Sequence, residues 1–296
     1  MQFLAYILVY PIIWLISILP FRLLYAFSDG LYVLLYHIIG YRRKTVKENL
    51  DLVFPNKSET EKKRITKAFY HHLCDMTVEA MKSLTISEAE IKKRFQFKDL
   101  DVIQDLVANN KSVALMCAHY GSWEWIFVLQ SYVNVKGYAV YKKLKNPYFD
   151  KLVKRIRARY NSYLITTKET VPTLMHAKVN NNLMICGFVS DQSPKINSAH
   201  YWTNFMGIKV PVYTGAEMLS KRIDMSVVFF RVKRLKRGHY ETTFELLADQ
   251  AKDYENYEIT DAFLRKVEKQ IEEAPEYYLW THKRWKHRDK VPAEFL

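Results

Sequence analysis

The sequence predicts a single α/β domain with a largely parallel central sheet flanked by helices, preceded by an N-terminal hydrophobic membrane-anchor helix. Three observations predict it. Between residues 112 and 247, short apolar runs alternate with helical stretches, the pattern of a sheet whose parallel strands are joined by crossover helices. Hydrophobic residues make up 49% of the 296 and charged residues 26%, which excludes a disordered chain and suffices for a full core. The opening stretch, MQFLAYILVYPIIWLISIL, carries no charged side chain and has about the length of one membrane span.

Each element follows from its own pattern. Pro11 kinks the opening run without excluding a span. A second apolar run, LLYAFSDGLYVLLYHIIGY, is broken by Asp29 and Gly30, and then Arg42, Arg43, Lys44 and Lys47 arrive together. No basic region precedes the first run and no small-residue cleavage site follows it, so a secretory signal peptide is a poor fit. Residues 1–41 read as membrane-anchor or interfacial helices, and the basic block keeps residues 42–296 on the cytoplasmic side. A pair of buried core helices is the alternative. From Ser58 to Leu84, Ile65, Phe69, Leu73, Met76 and Ala80 recur three or four apart, an amphipathic helix with Ser58 and Glu61 as its capping box.

Strands are expected at 112–118, 138–143, 183–190 and 225–234, and 240–247 should return antiparallel after a turn at Gly238. Helices are expected at 123–132, 147–160, 171–179, 214–221 and 260–273. No internal repeat, low-complexity tract or linker follows residue 58, so one domain is the economical choice.

The stretch CAHYGSWEW (117–125) places His119 in the turn that ends the 112–118 strand. Open α/β sheets form their sites at that edge. Ser122 should cap the following helix, with Glu124 in its first turn, where the macrodipole favours a carboxylate. An imidazole held by a carboxylate is a general base towards a hydroxyl. No serine stands in a G-x-S-x-G elbow, so the hydroxyl belongs to the substrate and transfer is direct. On spacing alone, a turn histidine beside an unrelated capping glutamate reads equally well. Cys117 raises a Cys–His nucleophile, although a thiol near the end of a buried apolar strand is usually inert. With Cys74 and Cys186 the cysteine count is odd and no C-x-x-C pair occurs. Buried free thiols in a reducing compartment are expected, not a zinc site or disulfide framework, and no metal or cofactor is called for.

The formal net charge of +14 implies an anionic partner: nucleic acid, anionic lipid, a phosphorylated substrate or an acidic carrier protein. The 21 tyrosines suit a membrane interface or an aromatic core. Near the end, WTHKRWKHR (280–288) alternates aromatics with cations. That suits a nucleic-acid stacking patch or an interfacial belt on lipid head groups. The apolar N-terminus on the same chain favours lipid, so no nucleic acid is expected.

The motif from His119 to Glu124 resembles the H-x-x-x-x-E/D motif of glycerolipid-type acyltransferases. Its form H-x-G-x-W-E is closer still to the bacterial lipid A biosynthesis acyltransferases. Further segments resemble that family in its order: YRRKTVKENLDLVFP (41–55), VYKKLKNPYFD (140–150), SDQSP (190–194), FMGIKVPVYTGAEMLSKR (205–222) and PEYYLWTHKRWKHR (275–288). One departure is Lys142 or Lys143 where the family usually has Arg, which keeps the charge but loses the bidentate fork.

The resemblance implies transfer of an acyl chain from acyl carrier protein to a hydroxyl of a lipid A precursor, at the cytoplasmic face of the bacterial inner membrane. It implies His119 as base and Glu124 as its partner. Arg157 would contact the developing oxyanion or an acceptor phosphate. Asn146, Asp191, Gln192 and Trp123 would bind substrate, the two tryptophans beside Glu124 suiting a site that takes in an acyl chain and excludes water. Two alternatives stand beside this: O-acyl transfer onto another bacterial lipid, such as an aminoacyl lipid or glycolipid, and a non-catalytic basic membrane-binding protein, which has no need of a base at His119.

Overall fold

The structure, a computed structural model, describes residues 1–295. Its strands are β1 (Phe95–Phe97), β2 (Val113–Cys117), β3 (Lys136–Tyr141), β4 (Ser162–Thr166), β5 (Met184–Val189), β6 (Trp202–Phe205), β7 (Ile208–Pro211), β8 (Ser226–Lys236) and β9 (His239–Ala248). The α-helices are α1 (Gln2–Ile18), α2 (Phe21–Tyr32), α3 (Arg43–Val53), α4 (Glu59–Lys82), α5 (Glu88–Arg94), α6 (Asp101–Ala108), α7 (Pro147–Ala158), α8 (Thr167–Val179), α9 (Gly215–Ile223) and α10 (Glu258–Glu273).

Seven strands form one sheet in the order β1-β9-β8-β2-β5-β3-β4, and β6 and β7 form a separate hairpin. The run from β8 to β4 is parallel. β9 turns back antiparallel to β8, as Gly238 predicted, and β1 lies parallel to β9. The central strand β2 is buried along its whole length. Ala114 and Met116 feed the core on one face of the sheet, while Val113, Leu115 and Cys117 feed the other. This two-sided burial is why the strand reads as an unbroken apolar run. After β5 the chain leaves through the β6–β7 hairpin and α9, then re-enters as β8 on the far side of β2. The winding therefore reverses at β2, the place where open sheets leave a crevice.

Helix α4 starts with the expected capping box between Ser58 and Glu61. The N-terminal apolar run folds as α1, α2 and a π-helical turn over Val33–Ile39. Among the described residues, no single helix is long and apolar enough to cross a membrane; the stretch Phe21–Ile39 with Arg43–Val53 has the length and composition but is bent by 89°. The structure thus has an apolar N-terminal helix, without the length of a clear spanning anchor. One side of α1 packs on α7, with Tyr6 against Tyr148 and Phe149 at ring distances of 5.6 and 5.3 Å. Its other side leaves Leu4, Leu8, Ile12 and Leu15 exposed.

Three local expectations are corrected. Residues 123–131 form a 3-10 helix rather than an α-helix, and Ser122 makes no capping bond to it. The segment between α7 and α8, where no strand was expected, forms β4 at the sheet edge. Its pattern SYLIT is short and only partly alternating, and Thr166 at its end doubles as the cap of α8. The C-terminal tryptophans face neither lipid nor nucleic acid. Trp280 and Trp285 are fully buried, with their rings 6.0 Å apart, and Arg284 between them is buried as well. A mixed aromatic and cationic string in sequence is here an aromatic core element with one internal guanidinium.

Candidate active site

Strand register builds the site. Cys117 at the end of β2 pairs with Val189 at the end of β5. Each chain then runs on by two residues, so His119 and Asp191 emerge side by side at the C-terminal edge of adjacent strands. The backbone N–H of Ser190 donates to the Cys117 carbonyl at 3.1 Å and carries the pairing one step further. Asp191 Oδ1 accepts from the His119 backbone N–H at 3.0 Å and lies 2.7 Å from its Nδ1. An ionised carboxylate only accepts, so Nδ1 carries the proton and Nε2 is left as the acceptor. Asp191 is almost wholly buried, and the His119 side chain is one-fifth exposed. Burial pushes the Asp191 carboxyl up, but the adjacent His119 imidazole and the hydrogen bonds outweigh it and hold it below the usual carboxylate range.

This corrects the expected pairing of His119 with Glu124. Glu124 instead forms an ion pair with Arg157 of α7. The 3-10 geometry of residues 123–131 directs Glu124 there, and the macrodipole of a full α-helix start is not available to it. Both members are partly exposed. Trp123 does sit at the base: its ring meets the His119 ring edge-on at 5.2 Å. Trp125 does not. It is fully buried and its indole N–H donates to Ser83 Oγ at 3.0 Å.

The remaining expected residues divide. Asn146 caps α7, accepting from the backbone N–H of Tyr148 at 3.0 Å, and its amide donates to the Gln2 carbonyl at 2.9 Å. It holds α7 and α1 together. Gln192 is half-buried directly after Asp191. Lys142 and Lys143 are exposed beyond the end of β3 and form no ion pair among the described residues. Cys117 is buried, and burial, with Asp191 adding, pushes its thiol up, so it supplies no thiolate.

The turn itself is fixed from two sides. On one side, the C-terminal segment holds it: the Leu279 N–H donates to the His119 carbonyl at 3.1 Å, and the Gly121 N–H donates to the Tyr277 carbonyl at 3.0 Å. Gly121 has φ +59°, and a Cβ there would stand 2.8 Å from Val232 Cγ1, so only glycine fits. On the other side, Ser122 Oγ donates at 3.4 Å to Glu79, a fully buried carboxyl on α4 that also accepts from Tyr25 and Tyr240 hydroxyls at 2.8 and 2.9 Å. Burial raises Glu79 to about 7, against the lowering effect of the tyrosine hydrogen bonds. His282 also faces the pair. Burial lowers it to about 4, so it is neutral, and its Nε2 accepts from the Ser193 N–H at 3.4 Å.

The support from Glu79 and residues 277–282 is not visible in sequence spacing. The position of Asp191 is visible in part, because His119 and Asp191 each come directly after an expected strand, 112–118 and 183–190.

A sequence model of the bacterial lipid A biosynthesis acyltransferase family matches residues 1–287. The chain is 25% identical over 286 residues to a lipid A biosynthesis lauroyltransferase of Escherichia coli (strain K12), covering 96% of this chain and 92% of that one. It is 22% identical over 279 residues to a lipid A biosynthesis palmitoleoyltransferase of the same strain, covering 94% and 89%. A lipid A biosynthesis acyltransferase of Haemophilus influenzae is 20% identical over 268 residues, covering 90% and 82%.

Proposed function

The chain belongs to the bacterial lipid A biosynthesis acyltransferase family and is an acyltransferase, and from this we propose that it moves a fatty acyl chain from an acyl-carrier-protein thioester to a hydroxyl of a lipid A precursor, on the cytoplasmic face of the bacterial inner membrane. The observation that carries the reaction type is the His119–Asp191 pair at the sheet's switch point, with Nε2 of His119 left as the free acceptor.

In the proposed step, His119 Nε2 takes the proton of the acceptor hydroxyl as its oxygen attacks the thioester carbonyl. Asp191 keeps the imidazole in the correct tautomer and stabilises the imidazolium that forms. Arg157, held by Glu124, stands as the cation for the oxyanion. When the tetrahedral intermediate collapses, the carbon–sulfur bond breaks, and the imidazolium returns its proton to the leaving thiolate. Glu124 thus acts through Arg157, and Asp191 takes the role that the sequence assigned to Glu124. Trp123 and Gln192 border the pair as candidate walls of the substrate site, and Asn146 contributes by fixing the start of α7, the helix that carries Arg157.

Two features support the membrane seat and the carrier donor. Helices α1 and α2 expose Leu8, Ile12, Leu23 and Phe27, and large exposed apolar side chains grouped on neighbouring helices suit a membrane contact. The net charge of +14 complements an acidic carrier. Mass spectrometry of the host's lipids with and without the protein tests the whole reading. The expected result is a lipid A lacking one acyl group when the protein is absent. An unchanged lipid A with a missing acyl group on another lipid would overturn the acceptor.

A further inference from the structure

Among the cavities that the mechanism does not use, one is strongly basic. It lies between α3 and α4, holds about 530 Å³, and is remote in the chain from His119. Its floor includes the buried Tyr36 and Leu50, and its wall includes Thr66. Five cationic side chains line it, Arg43, Lys44 and Lys47 from α3 and Lys62 and Lys63 from α4, against two carboxylates, Asp51 and Glu59. The carboxylates are already engaged by Lys47 and Lys62. Lys63 makes no ion pair among the described residues, and Lys44 reaches only Glu48, at 3.9 Å with both side chains largely exposed. The Arg43 guanidinium lies 4.8 Å over the Tyr36 ring, which orients it at the cavity edge.

Two neighbours give the cavity its direction. Immediately before α3, Ile38 and Ile39 are exposed by 73% and 58%. Gly40 and Arg42, both with positive φ, then turn the chain sharply from that apolar surface into the basic helix. An apolar floor, a cationic rim and an adjoining exposed apolar ridge fit an amphiphile with an anionic head. They do not fit a fully soluble anion, which has no use for the floor or the ridge.

We propose that this cavity binds the phosphate head group of an anionic membrane phospholipid, distinct from the acyl acceptor, with the lipid's chains lying along Ile38 and Ile39. The inference rests on the membrane seating proposed above. The site would add charge recognition to the apolar seat and fix the rotation of the domain on the membrane surface, since it pins one point of the rim.

The test uses the full-length protein and vesicles of phosphatidylcholine with or without phosphatidylglycerol. Binding to neutral vesicles reports the apolar seat, and the increment on adding phosphatidylglycerol reports the cavity. Lys44→Glu with Lys63→Glu should leave binding to neutral vesicles unchanged and cut the increment by about tenfold or more. Thr66→Trp, which fills the cavity without changing charge, should reduce the increment as well. As a control, Lys168→Glu with Lys178→Glu on the exposed part of α8 alters net charge equally. If this control lowers the increment as much as the cavity pair, overall charge carries the attraction and the proposal fails. It also fails if inorganic phosphate at low millimolar concentration binds the lipid-free protein and abolishes the increment, because the cavity would then serve a soluble anion. A double variant that keeps its increment but loses affinity for an acidic carrier protein would make the cavity a protein-docking site and overturn it equally. Loss of binding to neutral vesicles in the wild type would refute the seating itself, a separate failure.

Discussion

At the residue scale, the proposed chemistry turns on which carboxylate serves His119. His119→Ala should slow acyl transfer by about a hundred- to ten-thousand-fold with little change in melting temperature. Asp191→Asn should slow it comparably, because an amide in place of the carboxylate loses the charge that stabilises the imidazolium. The double variant should be little worse than His119→Ala alone, since groups acting as a unit are not additive. Glu124→Gln should add its effect nearly independently of Asp191→Asn, because Glu124 works on Arg157. Initial rates for the singles and doubles measure this directly. If Glu124→Gln and Asp191→Asn prove non-additive while Glu124→Gln and Arg157→Lys add, the assignment of partners is reversed. The sequence offered His119, Glu124, Arg157 and Asp191 as candidates, but their pairing was not legible. Pairing depends on the β2–β5 register and on the 3-10 path of residues 123–131, and both are settled by long-range packing.

At the element scale, α4 joins parts that the sequence keeps far apart. Asp75 accepts from Ser28 of α2 at 2.8 Å and from Arg237 at the β8–β9 turn at 2.6 Å, and Arg237 also grips Asp29. Removal of residues 1–19 should therefore weaken vesicle binding and leave a folded protein. Removal of residues 1–41 should lower the melting temperature sharply, because it uncovers Asp75, Glu79 and Arg237. A truncation at 41 that melts like the full chain would show that α2 is an accessory. Arg237→Ala should destabilise by about 2 kcal/mol, the loss of charge-assisted hydrogen bonds to a buried carboxylate, read from denaturant unfolding.

Glu79 on the same helix predicts a pH dependence. Its pKa is raised in the folded state from 4.5 to about 7, so between those values the folded chain binds more protons than the unfolded chain. Stability from this group is present at low pH and is lost as pH rises through that window. Glu79→Gln should flatten the stability profile between about pH 4.5 and 7. Asp191 works the other way in a lower window: its depressed pKa gives stability that is lost as pH falls below the usual carboxylate range. Amphipathic α4 and apolar β2, β5 and β8 were legible because their burial writes a period into the sequence. β4, the short β1 and the C-terminal segment were not, since edge strands and irregular core segments carry no such period.

At the scale of the whole molecule, the +14 charge should make turnover with acyl-carrier donors fall steeply with added salt, while turnover with acyl-coenzyme A falls less. Equal salt dependence for the two donors would remove the carrier's acidity from the account. The α/β class with a mostly parallel sheet was legible from alternation, the spanning anchor expected with it has no clear counterpart among the described helices, and the reversal of winding at β2 marks the place of the candidate site. What alternation could not convey is that the first helices are bolted to the last hairpin.

That bolt has a consequence in time. Asp29 and Arg237 are 208 residues apart, so a ribosome adding about 5 to 20 residues per second needs on the order of ten to forty seconds to supply the arginine after the aspartate. Throughout that interval α1 and α2 are complete while the β8–β9 turn that secures them does not yet exist. On the proposed membrane seating, the apolar helices can therefore meet a bilayer before the hairpin closes over Asp75, and the turn of His119 gains its bonds from Tyr277 and Leu279 only later still. On the proposed seating, attachment of the helices can thus precede completion of the His119 turn.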